Sequence, residues 1–284
     1  MIAAQEPRRE RLEGQVALVT GAARGQGRSH AVHLAREGAD IIAIDIDRQI
    51  PGLRYKTATQ GDLAETIRQV EALGRKVIAG VVDVRDASRM RDVVRAAVSE
   101  LGRLDIVVAN AGVAYTDPAH LMSSKMWSTV IDINLTGVWN TCNASIPHLI
   151  EGGRGGSIII TSSVLGLSGN NNTTAYAASK HGVVGLMKVL AGELGPHRIR
   201  VNTLHPSQVN TPMIMHESMF RVFAPELENP TKDDFAERSL NMHQMPVPWS
   251  EPSDISEAVL FLCCDSGRYI TGVTLPIDVG LLSR

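Results

Sequence analysis

Positive charge is not in excess: 28 Lys and Arg stand against 30 Asp and Glu, a net charge of −2. No basic field is therefore expected to hold nucleic acid or an anionic membrane. Cysteine is sparse. The three residues, Cys142, Cys263 and Cys264, do not have the paired spacing of a zinc site, so no metal is expected. They suit buried thiols in a reducing cytoplasm. No apolar run approaches the roughly 18 residues of a membrane span. The opening stretch "MIAAQEPRRERLEG" has charges and no apolar centre, so no signal peptide is expected. Internal repeats and low-complexity linkers are also lacking. Together these absences predict a soluble, cytoplasmic chain forming one domain over 1–284.

Short apolar runs are what the sequence does contain. They fall at 16–20, 41–45, 77–82, 106–109, 158–161, 201–204 and 273–277. They do not alternate polar with apolar, which predicts parallel strands covered on both faces. Helical patterns lie between them at 26–37, 62–73, 88–101, 125–150, 175–194 and 253–262, and Gly38, Gly74 and Gly102 follow three of these as stops. The alternation predicts an α/β fold: a doubly wound parallel sheet of about seven strands with helices on both faces. Ligands then belong at the carboxyl ends of the strands.

After the first strand comes "TGAARGQG", with glycines at Gly21, Gly25 and Gly27. Glycine permits a tight turn and close approach of backbone N–H groups to a pyrophosphate, which the following helix N-terminus also attracts. Arg24 and Gln26 of this turn join Gly21 and Gly27 as candidate cofactor contacts. Asp45 ends the second strand 18 residues after Gly27, where a carboxylate accepts hydrogen bonds from ribose hydroxyls. Its charge would repel a 2′-phosphate, which favours NAD over NADP. Arg24 argues the other way.

Further motifs share one family pattern. They are "TGAARGQG", "NAG" at Asn110, Ala111 and Gly112, "DINLTG" with Asn134, "IIITSSVLG" with Ser163, and "YAASK" with Tyr176 and Lys180. With them the chain resembles the short-chain dehydrogenase/reductase family from residue 13 to 281 and implies a Rossmann-type fold. The resemblance assigns catalysis to Asn134, Ser163, Tyr176 and Lys180. It assigns the adenine contact to Asp83, with Val84 beside it. In "HPSQVNTPM" it assigns cofactor contacts to Pro206, Val209 and Thr211, with Ser207 replacing the usual glycine. Tyr176 and Lys180 lie four apart, on one helix face. A tyrosine of pKa about 10 needs that ammonium, and the positive nicotinamide, to act as a base near neutrality. Ser163 would orient the substrate oxygen. Asn134 would hold a water behind the lysine, and Lys180 would also hold the nicotinamide ribose.

Two stretches depart from the common pattern. Residues 213–249 are long, rich in methionine and turns, and read as a lid over an apolar substrate. Residues 48–61 separate the second strand from its helix, where about 2–6 residues are usual. Starting beside Asp45, the insertion is expected near the adenosine end of the cofactor. Together with "GRYITGVTLPIDVG" it resembles the mycofactocin-coupled, carveol-dehydrogenase-type subgroup. That resemblance implies a retained NAD reoxidised by mycofactocin, a terpenoid-like hydrophobic secondary alcohol or its ketone, and a homotetramer. Two other readings stay open: an NADP-linked reductase of the oxoacyl-reductase type, and a non-catalytic nucleotide-binding protein.

Overall fold

Seven parallel strands in the order β3-β2-β1-β4-β5-β6-β7 make one sheet. They are β1 Val16–Thr20, β2 Asp40–Asp45, β3 Val77–Val81, β4 Ile106–Ala109, β5 Gly156–Thr161, β6 Ile199–Pro206 and β7 Thr274–Ile277. The computed structural model describes residues 11–284; the first ten residues of the stretch without a signal-peptide pattern lie outside them. Strand residues feed the two faces alternately. Val16 and Leu18 join the core on one side, while Ala17 and Val19 join the core on the other. Each fully buried valine or leucine contributes about 1.5–3 kcal/mol, which makes this register costly to shift. The edge strands β3 and β7 are less covered, with Val81 and Pro276 exposed.

One face is covered by α1 (Gly25–Arg36), α2 (Gln60–Glu71) and α9 (Pro252–Cys263). The other carries α3 (Ala87–Leu101), α4 (Ser124–Ile131), α5 (Gly137–Gly152) and α6 (Thr174–Leu194). Gly38, Gly74 and Gly102 all adopt the left-handed conformation expected of helix stops. Cys142, Cys263 and Cys264 are free and buried. Among the described residues, no helix is long and apolar enough to cross a membrane.

Three expectations need correction. The helix expected over 125–150 is two α-helices joined by a π-helical turn, Asp132–Thr136, centred on Asn134. A single added residue per turn is invisible to apolar periodicity. The 213–249 stretch is not merely turns: it holds α7 (Glu217–Phe223) and α8 (Lys232–Leu240). The second begins at a capping box in which Thr231 and Asp234 satisfy each other's backbone N–H groups. Finally, α2 starts at Gln60 behind the N-cap Thr59, so the insertion ends in a helical turn.

Candidate active site

Strand order reverses between β1 and β4, and a crevice is expected at the carboxyl ends of the strands there. A cavity of about 510 Å³ lies at this point, lined by the glycine turn, Asp45, Asn110, Ser163, Tyr176 and Lys180 among others. Its floor is built from strand ends. Thr20 Oγ1 accepts from the Asn110 and Ala111 N–H groups at 3.1 and 3.2 Å, and Asn110 Nδ2 donates to the Thr20 carbonyl at 3.1 Å. Thr161 Oγ1 reaches Asn110 Oδ1 at 3.3 Å. Asn110 thus ties β1, β4 and β5 together.

The glycine turn folds on itself. A Cβ on Gly27 would stand 1.9 Å from the Gly21 carbonyl oxygen, so any side chain there would force the turn open. Helix α1 begins with no side-chain cap and no acid in its first turn, leaving its first N–H groups and positive dipole end for an anion. Gln26 Oε1, Ser207 Oγ and both amide atoms of Gln208 are buried without partners on residues lining the cavity. Orphaned polar atoms at this density belong to a polar ligand site. Asp45 accepts from Ala23 N–H at 2.8 Å and Ile46 N–H at 2.7 Å. Burial raises its carboxyl above the ordinary value, against those two donors. These features fit a dinucleotide: its pyrophosphate at α1, its ribose hydroxyls at Asp45. Val84, Gly112, Pro206, Val209 and Thr211 also line the cavity. Thr211 packs 3.2 Å from where a Gly25 Cβ would lie, which seats the loop after β6 on the turn.

At the opposite end, Ser163, Tyr176 and Lys180 converge. Lys180 is buried and donates to the Thr161 carbonyl at 2.7 Å, with Nζ 5.6 Å from the centre of the Tyr176 ring. Burial pushes Lys180 down to about 8. Burial also raises the Tyr176 phenol, while its hydrogen bond to Ser163 pulls it down. The expected lowering of Tyr176 is therefore not achieved by the protein alone, because the same desolvation that disfavours the ammonium also penalises the phenolate. Ser163 Oγ accepts from Leu165 N–H at 3.1 Å.

Asn134 does not line the cavity. It is fully buried behind it, accepting from Val113 N–H at 2.8 Å and donating to the Val113 carbonyl at 2.9 Å and to Ser179 Oγ at 3.2 Å. Its side chain is thus a clamp between the loop after β4 and α6. Sequence reasoning missed His205, which bridges Thr203 Oγ1 at 2.8 Å and the Ser163 carbonyl at 2.7 Å. A histidine inside an apolar strand run was the available signal.

The insertion departs furthest from expectation. It begins beside the end of β3, where Arg48 reaches Asp83 at 2.9 Å. Both Asp83 oxygens accept from guanidinium groups, Arg85 and Arg48. Burial pushes that carboxyl up, but the two arginines outweigh it and hold it at about 2. The loop then runs along the cavity as far as Ala114, whose N–H donates to the Tyr55 hydroxyl. Ile50, Tyr55, Thr57 and Ala58 line the cavity, Gly52 packs against Met126 of α4, and Arg54 lies over the Tyr115 ring. Internally the loop is tied by Gln49, which accepts from Thr57 N–H and donates to the Tyr55 carbonyl, both at 3.0 Å. Arg24 donates to the Lys56 carbonyl, so its guanidinium is directed into the insertion.

The family model described as short chain dehydrogenase matches residues 15–220. The chain belongs to the short-chain dehydrogenase family. It is 53% identical over 271 residues to a (-)-trans-carveol dehydrogenase of Rhodococcus erythropolis, covering 95% of this chain and 98% of that protein. Among solved structures it resembles carveol dehydrogenase from Mycobacterium avium in complex with NAD, at 55% identity and TM-score 0.96, covering 97% of this chain and all of that one. A short chain dehydrogenase from Mycobacterium paratuberculosis bound to NAD follows the same course at 45% identity and TM-score 0.88, covering 96% of this chain and all of that one.

Proposed function

We propose that the protein is an NAD-dependent oxidoreductase that interconverts a hydrophobic secondary alcohol, terpenoid-like in size and polarity, with its ketone. The observation that carries this reading is the placement of Ser163, Tyr176 and Lys180 in the same cavity as Asp45 and the glycine turn. Bound NAD supplies the ring that accepts the hydride from the alcohol carbon, or returns it to the ketone. Ser163 Oγ holds the substrate oxygen, and Tyr176 takes the hydroxyl proton during oxidation and gives it back during reduction. Lys180 stabilises the phenolate and holds the nicotinamide ribose. Asn134 keeps the Val113 loop and α6 in register behind the lysine. Asp83 and Val84 border the adenine, with the Asp83 carboxylate oriented by its two arginines. Met213, Met219, Val222, Phe223 and Leu281 make the substrate end apolar, which, with the resemblance to carveol dehydrogenases, supports a terpenoid-like alcohol. Asp45 and the insertion argue against an NADP-linked reductase of the oxoacyl-reductase type.

Asp45 selects the nucleotide. Asp45→Ala should weaken NAD about tenfold, roughly 1.4 kcal/mol, and improve NADP relative to it. Titration of both nucleotides against wild type and variant checks this; a wild-type preference for NADP would overturn the cofactor assignment.

We extend the reading to a retained NAD reoxidised in place by mycofactocin. The support is the insertion, which runs along the cavity from Asp83 to Ala114. Untreated purified protein should carry roughly one NAD per subunit after gel filtration, as expected of a gated exit. Absorbance and released nucleotide measure it, and nucleotide-free protein would remove the retention step. Profiling of secondary alcohols with a dye as electron acceptor should rank apolar cyclic alcohols above short polar ones.

A further inference from the structure

We propose that Tyr55 is a latch joining the insertion to the substrate lid, so that the flap over the cofactor and the lid over the substrate open together. The proposal rests on the reading that residues 48–61 gate the nucleotide. Tyr55 is the buried ring of an otherwise polar stretch, between exposed Arg54 and Lys56. Its ring stacks on His216 with centroids 5.4 Å apart and planes at 24°. Its hydroxyl accepts from Ala114 N–H at 2.9 Å. One side chain therefore touches the insertion, the loop after β4 and the lid.

His216 is well placed to pass on a movement. It is the N-cap of α7, where Nδ1 accepts from Met219 N–H at 3.3 Å and Nε2 lies 3.0 Å from the Met213 carbonyl. Met213 and Met219 both line the substrate end. A substrate that packs against these methionines fixes α7, and α7 fixes the His216 ring under Tyr55. When the lid opens, the stack parts. The flap then keeps Ile50 and Ala58 in the two cores and the polar contacts of Arg48 with Asp83, Arg24 with the Lys56 carbonyl and Arg54 with the Tyr115 ring, but it has lost its link to the lid. Coupling of this kind is reciprocal at equilibrium: an apolar ligand under the lid tightens the nucleotide, and nucleotide under the flap tightens the apolar ligand by the same factor; a closed flap also slows nucleotide release.

The test measures release of radiolabelled NAD from loaded enzyme into excess unlabelled NAD, with and without the monoterpene ketone carvone. Ketone and NAD are both oxidised, so no turnover intervenes. Carvone should slow release from wild type. His216→Asn keeps a good N-cap residue but removes the ring. It should speed release about tenfold and abolish the carvone effect. Tyr55→Leu should do the same, the double variant should exceed neither single change, and Tyr55→Phe, which keeps the stack, should retain the carvone effect. If His216→Asn leaves both rate and carvone effect unchanged while a shortened insertion still speeds release, the gate stands and the latch is overturned. If the shortened insertion also releases NAD at the wild-type rate, the gate itself fails and the latch with it.

Discussion

Tyr176→Phe should bind NAD as wild type does and lose turnover by about 10²–10⁴-fold, roughly 3–5.5 kcal/mol of barrier. Phenylalanine fills the same volume and keeps the ring beside Lys180, so the fold and nucleotide site should survive. Only the proton route is removed. Single-turnover rates with saturating alcohol measure the effect on chemistry alone, and a folded variant with near-normal rate would end the assignment of Tyr176. The pH profile follows from the same pair. Oxidation requires the phenolate, and burial raises the Tyr176 phenol above its ordinary range; the oxidation rate should therefore rise with pH through the alkaline range, while ketone reduction falls. Lys180 is pushed down to about 8 by burial. Both groups lie in the same buried pocket, with Lys180 Nζ 5.6 Å from the Tyr176 ring centre, so the profile reports apparent values and not the constant of one residue. In Tyr176→Phe the residual rate should lose that slope.

Much of this site is legible in the sequence because it sits on regular elements. Strand β5 carries the apolar run Ile158–Ile160 and ends at Thr161, and Tyr176 and Lys180 are fixed relative to each other by helical spacing alone. The sheet reads well for the same reason: central strands buried on both faces carry apolar runs, and their buried polar residues, such as Thr20, Thr161 and His205, fall mostly at the strand ends. What is not legible depends on contacts distant in the chain. The course of the insertion is decided by Tyr55 meeting Ala114 and His216, and no local pattern within 48–61 points there. The π turn at Asn134 is set by the need to bring that side chain between Val113 and Ser179. In the lid the signals were present and outweighed. The Thr231 and Asp234 capping box announces α8, but the surrounding prolines and methionines resemble an irregular segment. Asp83 is a different case. It lines the cavity beyond the end of β3, and the arginines that orient it come from the next turn and from the insertion.

Replacing 48–61 with a brief turn should convert the enzyme from one that stalls to one that cycles. In the wild type, substrate should reduce the bound NAD once and then stop, even with excess free NAD, because the insertion gates the exit. A dye acceptor, or mycofactocin, should restore turnover by taking electrons without release of the nucleotide. The insertion runs along the cavity and none of Ser163, Tyr176 and Lys180 belongs to it, so shortening it should spare the chemistry. The shortened enzyme should accumulate NADH in free solution without dye, with its rate set by exchange or by hydride transfer. The change should lie mainly in the off-rate, since a cover that must open before release slows departure more than encounter. Loss of Ile50, Tyr55, Thr57 and Ala58 also strips part of the cavity wall, so the nucleotide should bind more weakly at equilibrium. The deciding measurement is NADH formed per subunit by wild type without an acceptor. A value near one supports the gate. Steady multiple turnover with free NAD would keep Tyr176 chemistry intact and reduce the insertion to a wall of the pocket.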